Sequence, residues 1–468
     1  MSFLDTFTEI VDDIWYLVFV LVILLGLYCT IRLKGIQFTQ LKEMFRVTFK
    51  KEDLRNKDKL SSFRVFCMSM GNRIGVGNIT GPVLAFIIGG PGAIFWIWVF
   101  AIIGMATSFL ESTVGQIYKV RTHNGEFHGG PAYNVSNGLG LKRMSVIVAV
   151  VVMLMYIVGF VSMEVCSMSE AMVGAFDFEN NKLVFAIIFT LLTAFVIIGG
   201  IKRVSNMAVG IVPIMAFVWI IICLISIVVN YDGIVDAFAS IFANAFTVPA
   251  SVGGGVGAML IIGMKRGILS NEAGIGTIPN LSSMADVRHP VSQGLSQSFG
   301  VLIDTVICTM TALVVMTCIG HGAAVDLDLE SAMLLQHVFE STYGGFASYL
   351  VAIFLFVFAF TSLMTDYVIG ENNVLFFGEQ KWKLIAMNVL ILVVVFLSSF
   401  YSSDALFVFV DLMMAACGII NVLVMSKLGK YAIEAYADYR RQRADGIEEP
   451  DFHKSALSDQ SGVTAWDD

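Results

Sequence analysis

The chain has 468 residues, of which 57% are hydrophobic and only 14% are charged, whereas a soluble globular domain carries about 25% charged residues. This composition excludes a soluble protein and predicts a membrane protein, whose backbone must be satisfied within helices or a closed barrel. The apolar runs are continuous rather than alternating, which favours helices. The net charge of −8 does not indicate nucleic-acid binding, because the basic residues are sorted by membrane side.

The N-terminal segment does not resemble a secretory signal, since its first thirteen residues contain four acids and no Lys or Arg. About 20 apolar residues cross a bilayer core, and this rule predicts eleven spans. They lie near residues 14–33, 63–87, 92–118, 145–173, 183–200, 206–229, 247–269, 292–319, 346–375, 381–400 and 404–426.

The distribution of basic residues predicts the orientation of these spans. With the N-terminus outside, 27 of the 29 Lys and Arg residues fall on inner segments, among them Lys265 and Arg266. An excess of Lys and Arg on short cytoplasmic loops sets the orientation of a membrane protein. We therefore predict a multi-pass protein of the bacterial inner membrane, with its N-terminus outside and its C-terminus in the cytoplasm.

The predicted architecture is an all-α membrane protein with four parts. Residues 1–62 hold an outer N-terminus, a peripheral span and a basic cytoplasmic loop, and residues 429–468 form a partly ordered cytoplasmic tail. Two repeats of five helices occupy residues 63–230 and 231–428. Because five is odd, the second repeat is inverted relative to the first.

Polar and glycine residues interrupt the second span. Between Phe66 and Pro82 it contains four glycines, two asparagines and Arg73. Each interior glycine costs about 1 kcal/mol of helix propensity relative to alanine, and a polar cluster at membrane depth marks a transport pathway. A broken helix here frees carbonyls for a cation and aims amides at an anion such as a carboxylate.

A second glycine cluster, residues 253–257, lies in the seventh span. Glycine-interrupted spans at corresponding places in two inverted halves indicate a transporter binding site. The alternative is that these glycines only permit close helix packing. On the first interpretation the candidate substrate residues are Gly75, Val76, Gly77, Asn78, Gly254 and Gly255.

Five motifs identify a family. They are Gly75-Val-Gly77-Asn78, Gly89-Gly-Pro-Gly-Ala93, Gly129-Gly-Pro131, Ser270-Asn-Glu-Ala-Gly274 and Ile303-Asp-Thr305. In this order they resemble the sodium:alanine/glycine symporters, from about residue 15 to 430. The resemblance implies the inverted-repeat amino-acid transporter fold, with one extra N-terminal helix. It also implies alanine or glycine as the substrate, driven by sodium or, in some members, by protons.

A more distant resemblance links residues 71–78 to the broken helix of the neurotransmitter:sodium symporters. It implies that the carbonyls of Gly71 and Ile74 bind sodium together with the hydroxyls of Thr361 and Ser362. Those hydroxyls have an alternative role, bonding back to their own helix. The amides near Val76 and Gly77 would hold the substrate carboxylate.

The sequence departs from the family at its substrate site. Glu164 stands where relatives commonly have glutamine, and Val76 replaces the usual Thr or Ser. The seventh span is about four residues shorter after Gly257, and Asp366 is an unexpected acid in the ninth span. These changes bear on the choice of substrate more than on the fold.

Charges inside the membrane need a partner, solvent or a proton. Glu164 has three possible roles: a structural pair with Arg73, a contact to the substrate ammonium, or carriage of a coupling proton. Asp304 either acts near the ion and substrate or tethers two helices. Arg73, Asp304 and Asp366 are thus candidates for coupling or gating. The remaining acids, Glu111, Glu272 and Glu371, are predicted to cap helices or to form a cytoplasmic gate with Lys265 or Arg266.

The sequence predicts a secondary transporter that imports a small neutral amino acid with sodium. Alternatives are a proton-coupled carrier, a carrier of another small amino acid, and a sensor that keeps the fold without transporting. The motifs of the common hydrolase and metalloprotease sites are missing, so we do not expect an enzyme. The histidines lack the spacing of a metal site, so no resident cofactor is expected.

Overall fold

Helices make up almost the whole protein, as a computed structural model of residues 3–50, 60–123, 125–247, 255–401 and 404–466 shows. In the first half they are α1 (Phe3–Arg32), α2 (Ile36–Thr39), α3 (Leu41–Phe49), α4 (Ser62–Arg73), α5 (Val76–Gly89), α6 (Gly92–Ile117), α7 (Pro131–Tyr133), α8 (Lys142–Met153), α9 (Val161–Ala175), α10 (Asn181–Ile197), α11 (Gly200–Val229) and α12 (Ile234–Asn244). A π-helical segment, Leu154–Phe160, joins α8 to α9.

The second half continues the helical pattern. It contains α13 (Gly255–Asn271), α14 (Pro279–Ser282), α15 (Pro290–Cys318), α16 (His321–Asp326), α17 (Ser331–Tyr343), α18 (Ala347–Phe376), α19 (Lys381–Ser398) and α20 (Asp404–Ala444). Two short strands, β1 (Val120–Arg121) and β2 (Phe127–His128), form an antiparallel pair in the loop after α6.

In the described ranges, eight helices are long and apolar enough to cross a membrane. They correspond to the first, third, fourth, sixth and eighth to eleventh predicted spans. The fifth predicted span is α10, a shorter apolar helix. The second predicted span is divided between α4 and α5. The seventh, residues 247–269, lies partly outside the described residues and is otherwise part of α13.

The helices pack in two groups. The first group is α4, α5, α6, α13 and α15, in which α15 lies along α6, and α13 lies against both α5 and α6. The second group is α9, α10, α18 and α19, in which α18 packs on α9, and α10 on α19. Because α4 also contacts α18, the break between α4 and α5 lies at the boundary between the groups.

The C-terminal segment is more ordered than the sequence predicts. α20 has 41 residues, about 60 Å at 1.5 Å per residue, and thus exceeds a hydrocarbon core of about 30 Å. Beyond it, the backbone amide of Phe452 donates to the carbonyl of Arg288 at 3.0 Å. The indole of Trp466 donates to the carbonyl of Gln116 at 2.9 Å. The tail therefore packs back onto the ends of α6 and α15.

Candidate functional site

The first helix interruption lies where the sequence predicts it. α4 ends at Arg73, Ile74 leaves the helical region, and Gly75 is extended before α5 begins at Val76. The first amides of a helix have no partner inside that helix. Those of Val76 and Gly77 therefore start α5 in the middle of the protein, where all these residues are buried.

A second interruption follows α13. Gly254 is outside the described residues, and Gly255 begins α13, which continues without a break to Asn271. The helix is instead lost after Asn271, where Glu272, Gly274 and Gly276 all have positive φ, and it resumes only at α14. Glycines at the beginning of a helix do not interrupt it, whereas two glycines in left-handed conformations do. Gly255 therefore lies a whole helix before this break, and Gly254 falls outside the described residues.

Glu272 is the polar centre of this second interruption. Its carboxylate accepts hydrogen bonds from Asn72 Nδ2 at 2.6 Å, Tyr156 OH at 2.6 Å and Thr277 Oγ1 at 2.9 Å. The predicted pairing of Glu272 with Lys265 or Arg266 is wrong, because both cations lie two turns earlier on α13. Glu272 thus joins both interruptions to the π-helical segment before α9.

Lys265 and Arg266 form a separate, buried ion cluster. Both bind Asp411 on α20, at 3.2 Å and 2.8 Å, and Lys265 also pairs with Asp12 on α1. The sequence predicts that these two cations lie on an inner loop. In the structure they lie within α13, next to the N-terminal part of α1 that contains Asp12. A position inside α13 is possible for Lys265 and Arg266 because Asp12 and Asp411 neutralise their charges.

Glu164 reaches the first interruption from α9. Its Oε2 accepts from the backbone amide of Val76 at 3.3 Å. A Cβ at Gly75 would lie 2.7 Å from Glu164 Oε1 and 2.8 Å from Ser362 Oγ, so these side chains converge on the break. Glu164 is 2% exposed. The structure therefore brings together Gly75, Val76, Glu164 and Ser362, four of the residues proposed from the sequence.

Arg73 does not pair with Glu164, so that interpretation of Glu164 is wrong. Its Nε donates to the carbonyl of Asn271 at 2.9 Å, its Nη1 to the carbonyl of Gln297 at 2.9 Å, and its Nη2 to Ser108 Oγ at 3.1 Å. The guanidinium therefore ties the end of α4 to the end of α13. It is fully buried, and these contacts turn it away from the break at Gly75.

Asp304 connects α15 to both interrupted helices. Its carboxylate accepts from Asn78 Nδ2 at 2.6 Å on α5 and from Ser270 Oγ at 2.8 Å on α13. Asn78, a predicted substrate residue, is thus occupied by a helix-to-helix contact. Asp304 has the geometry of a tether beside the first turn of α5.

The two hydroxyls predicted to bind sodium point in different directions. Ser362 Oγ lies 3.3 Å from the carbonyl of Asn72, at the end of α4, and donates to it. Thr361 Oγ1 donates to the carbonyl of Phe358 in its own helix at 2.9 Å and lies 3.6 Å from Met215 Sδ. In this arrangement Ser362 faces the broken segment that contains Gly71 and Ile74, and Thr361 makes the alternative back-bond.

Three residues of this region were not among the sequence candidates. Asn72, Tyr156 and Thr277 are the donors to Glu272. Asn72 stands between the candidate residues Gly71 and Arg73, and only this position in the sequence could have indicated a role for it. Tyr156 and Thr277 have no such signal, because a tyrosine in an apolar span and a threonine in a loop are common in any helical membrane protein.

Comparisons with known proteins identify relatives of this chain. The sequence profile described as the sodium:alanine symporter family matches residues 1–454. The amino-acid carrier protein AlsT of Bacillus subtilis is 37% identical, over 100% of this chain and 98% of that protein. The probable sodium/glutamine symporter GlnT of the same organism is 38% identical, over 97% and 94%. The sodium/alanine symporter AgcS of Methanococcus maripaludis is 34% identical, over 80% and 83%.

Solved structures show a shared fold at low sequence identity. MhsT in complex with L-phenylalanine has a TM-score of 0.54 and 14% identity, over 81% of this chain and 98% of that one. A manganese transporter of Eremococcus coleocola has a TM-score of 0.55 and 11% identity, over 88% and 91%. With the profile match and the whole-length relatives, the predicted resemblance is confirmed: this multi-pass membrane protein belongs to the sodium:alanine symporter family, whose members are transporters and not enzymes.

Proposed function

We propose that this protein is a sodium-coupled importer of a small neutral amino acid, alanine or glycine, that works by alternating access. The observation that supports this proposal most strongly is the convergence of Glu164 and Ser362 on the break at Gly75. The first backbone amides of α5 lie there, at the boundary between the two helix groups, and that of Val76 donates to Glu164. The names of the family and of AgcS support alanine and sodium.

The amides of Val76 and Gly77 are the proposed site for the substrate carboxylate. A helix N-terminus favours an anion through its free N–H groups and its dipole. Glu164 already uses the Val76 amide, so a substrate carboxylate has to displace it. The displaced Glu164 would then be free to contact the substrate ammonium. A Cβ at Gly77 would lie 3.4 Å from the Cα of Ser270, so this glycine packs directly against α13.

Sodium is proposed to bind at the end of α4. The carbonyls of Gly71 and Ile74 lie in or beside the broken segment, and the Ser362 hydroxyl faces the adjacent Asn72 carbonyl. Hard oxygen donors of this kind suit a small cation. Thr361 would join the site only by rotating away from the Phe358 carbonyl. We therefore propose that Ser362 contributes more than Thr361 to sodium binding.

The proposal includes the orientation and the repeats predicted from the sequence. The outside N-terminus, the cytoplasmic C-terminus and the two five-helix repeats at 63–230 and 231–428 remain part of it. Rocking of one helix group against the other would expose the break at Gly75 to each side in turn. The tail contact of Trp466 on Gln116 would lie on the cytoplasmic side.

Coupling to protons is the second candidate, and one observation favours it. Five buried carboxylates surround the interruptions (Glu111, Glu164, Glu272, Asp304 and Asp366), and Arg73 is the buried guanidinium among them. Burying this many negative charges beside one guanidinium is costly, and protonation of a carboxylate removes that cost.

Ligand-dependent stabilisation tests the proposal directly. The unfolding temperature of the purified protein is measured with alanine, glycine or glutamine, each in sodium or in potassium chloride. A ligand that binds only the folded state raises this temperature. We expect alanine or glycine to raise it in sodium and not in potassium. Equal stabilisation in both salts contradicts sodium coupling, and stabilisation by glutamine alone contradicts the choice of substrate.

A further inference from the structure

The helix α3 lies at the boundary of the membrane core. It follows α1 closely in the chain and packs along α15, where Thr48 donates to Ser296 Oγ at 3.2 Å and the ring centroids of Phe49 and Phe299 are 6.0 Å apart. α15 has 29 residues, about 43 Å at 1.5 Å per residue, so about one turn at each end extends beyond a core of about 30 Å. Ser296 is less than two turns from the beginning of α15 at Pro290. α3 therefore lies where the hydrocarbon meets the lipid headgroups.

Two uncovered ridges of α3 face this boundary. The first, the apolar ridge, has side chains that are 40%, 58% and 46% exposed, and it consists of Leu41, Phe45 and Phe49. The second, the basic ridge, ends on the residue directly after the helix, and it consists of Lys42, Arg46 and Lys50. Residues four apart lie on the same face of a helix, so the two ridges run side by side. An apolar ridge beside Lys and Arg side chains is typical of a helix that lies in the plane of the membrane interface.

The basic ridge borders a groove of about 790 Å³. The groove is also lined by Phe45 and Phe49 of the apolar ridge, and by Arg443 in the last turn of α20. Its walls thus combine aromatic rings with cations from two helices that are far apart in the chain. A ligand that fills the groove has to match both kinds of side chain.

Positive charge is in excess around the groove. Four cations and two acids line it, and the acids are Glu43 and Glu448. Each acid that forms an ion pair here serves two cations, since Glu43 pairs with Arg46 and Arg443, and Glu449 with Lys50 and Arg288. The excess favours a ligand that carries a net negative charge. Each Lys or Arg near a membrane surface strengthens the attraction to anionic lipid by about fivefold.

We propose that this groove binds one anionic phospholipid of the surrounding leaflet, with its phosphate on the basic ridge and an acyl chain along the apolar ridge. A free anion would leave Phe45 and Phe49 uncovered, and a zwitterionic lipid would leave the positive charge in excess. The bound phosphate joins α3, near the N-terminus, to α20, near the C-terminus. The lipid therefore stabilises the folded protein, whatever amino acid and ion the protein transports.

The test compares inorganic phosphate with two lipids that have the same acyl chains, anionic phosphatidylglycerol and zwitterionic phosphatidylcholine. Native mass spectrometry of the full chain in neutral detergent counts the retained lipids. The unfolding temperature in the same mixtures reports stabilisation, because a ligand that binds only the folded state raises it. The variant Lys42→Gln/Lys50→Gln removes two charges of the basic ridge. Lys427→Gln/Lys430→Gln, at two exposed lysines of α20, is the matched control with the same change of charge.

We expect the wild type to retain one phosphatidylglycerol and to unfold at a higher temperature with that lipid than with phosphatidylcholine. In Lys42→Gln/Lys50→Gln the affinity for phosphatidylglycerol should fall by more than about tenfold, since each lysine contributes about fivefold. The control variant should keep the wild-type affinity. Lys42→Gln alone should lower the affinity by about fivefold, and this variant decides the question if the double variant does not fold.

Other results overturn the inference. Equal retention of the two lipids shows that the apolar ridge alone binds them. Equal losses of affinity in Lys42→Gln/Lys50→Gln and in the control show a general attraction of charge, without a site in the groove. Stabilisation by inorganic phosphate that equals stabilisation by phosphatidylglycerol shows a site for a free anion. These measurements use no amino acid and no sodium gradient, so a failure of the proposed transport function would leave their outcome unchanged.

Discussion

The carboxylate of Glu164 accepts a hydrogen bond from the backbone amide of Val76, at a distance of 3.3 Å. The protein therefore places its own carboxylate on an amide that a substrate carboxylate needs. In Glu164→Gln the side chain that competes for this amide has no negative charge, and the glutamine amide can donate a hydrogen bond to the substrate carboxylate. We expect the KM for alanine to fall by about tenfold, equivalent to about 1.4 kcal/mol. A higher KM would show instead that Glu164 mainly holds the substrate ammonium.

Gly75 is expected to tolerate no side chain. A Cβ there would lie 2.7 Å from Glu164 Oε1 and 2.8 Å from Ser362 Oγ, distances at which atoms must shift. Gly75→Ala should therefore abolish sodium-driven alanine uptake while the protein still reaches the membrane. Gly210→Ala is the matched control, since a Cβ at Gly210 meets nothing within 4 Å. Uptake by Gly75→Ala near the wild-type rate would contradict a site at this break.

The two adjacent hydroxyls on α18 should differ in their effect on sodium. Ser362 faces the Asn72 carbonyl, whereas Thr361 bonds back to Phe358. We expect Ser362→Ala to raise the sodium concentration for half-maximal uptake by about tenfold, and Thr361→Val to raise it less than about twofold. Equal effects would show that Thr361 rotates into the site, as the family resemblance implies.

Removal of the Glu272 carboxylate should destabilise the protein as well as stop transport. Glu272→Ala leaves Asn72, Tyr156 and Thr277 without their acceptor, and each unsatisfied buried group costs about 1–3 kcal/mol. Glu272→Gln keeps an acceptor oxygen and should therefore lose less stability than Glu272→Ala. Unfolding temperatures in detergent measure this order. The exposed Glu330→Ala is the control, and an equal effect of both alanine variants would refute the role of Glu272 as a hub.

Glu43, on the helix α3 outside the membrane spans, predicts a pH dependence of stability. Partial burial raises the pKa of Glu43, but hydrogen bonds from Arg46 and Tyr439 outweigh burial and hold that pKa below its ordinary value of 4.5. A depressed folded-state pKa contributes stability that is present above pH 4.5 and lost as the pH falls through the folded pKa. Glu43→Gln should therefore unfold at a lower temperature than the wild type at neutral pH.

The difference between Glu43→Gln and the wild type should shrink as the solution is acidified below pH 4.5. A difference that is constant with pH would mean that the charge of Glu43 is not involved. Glu449→Gln, at the more exposed pair with Lys50 and Arg288, should have a smaller effect, because exposed ion pairs contribute little.

Sequence patterns predicted the first interruption because its signals are local. Glycines, asparagines and an arginine stand together between Phe66 and Pro82, and no long apolar helix accommodates them without cost. No such local signal indicated the interruption after α13. The glycines at 253–257 lie near the beginning of α13, whereas the break at Glu272 depends on left-handed residues and on two donors from distant parts of the chain, Asn72 and Tyr156.

The partners of the buried charges were the least predictable feature. Arg73 and Glu164 are both charged and at membrane depth, and nothing in their sequence positions shows that Arg73 turns towards Gln297. Likewise, the sequence predicts that Lys265 and Arg266 lie in a loop, whereas in the structure both bind Asp411 of α20. Such pairings depend on helix rotation, which apolar length does not determine.

Alanine uptake by purified protein in proteoliposomes tests the central claim most directly. Radiolabelled alanine is supplied outside under an inward sodium gradient, under an inward proton gradient without sodium, or with no gradient, and Gly75→Ala serves as the inactive control. We predict accumulation above equilibrium with the sodium gradient alone, competed by glycine. Accumulation with the proton gradient alone, or no accumulation under either gradient, would contradict a sodium-coupled importer of small neutral amino acids.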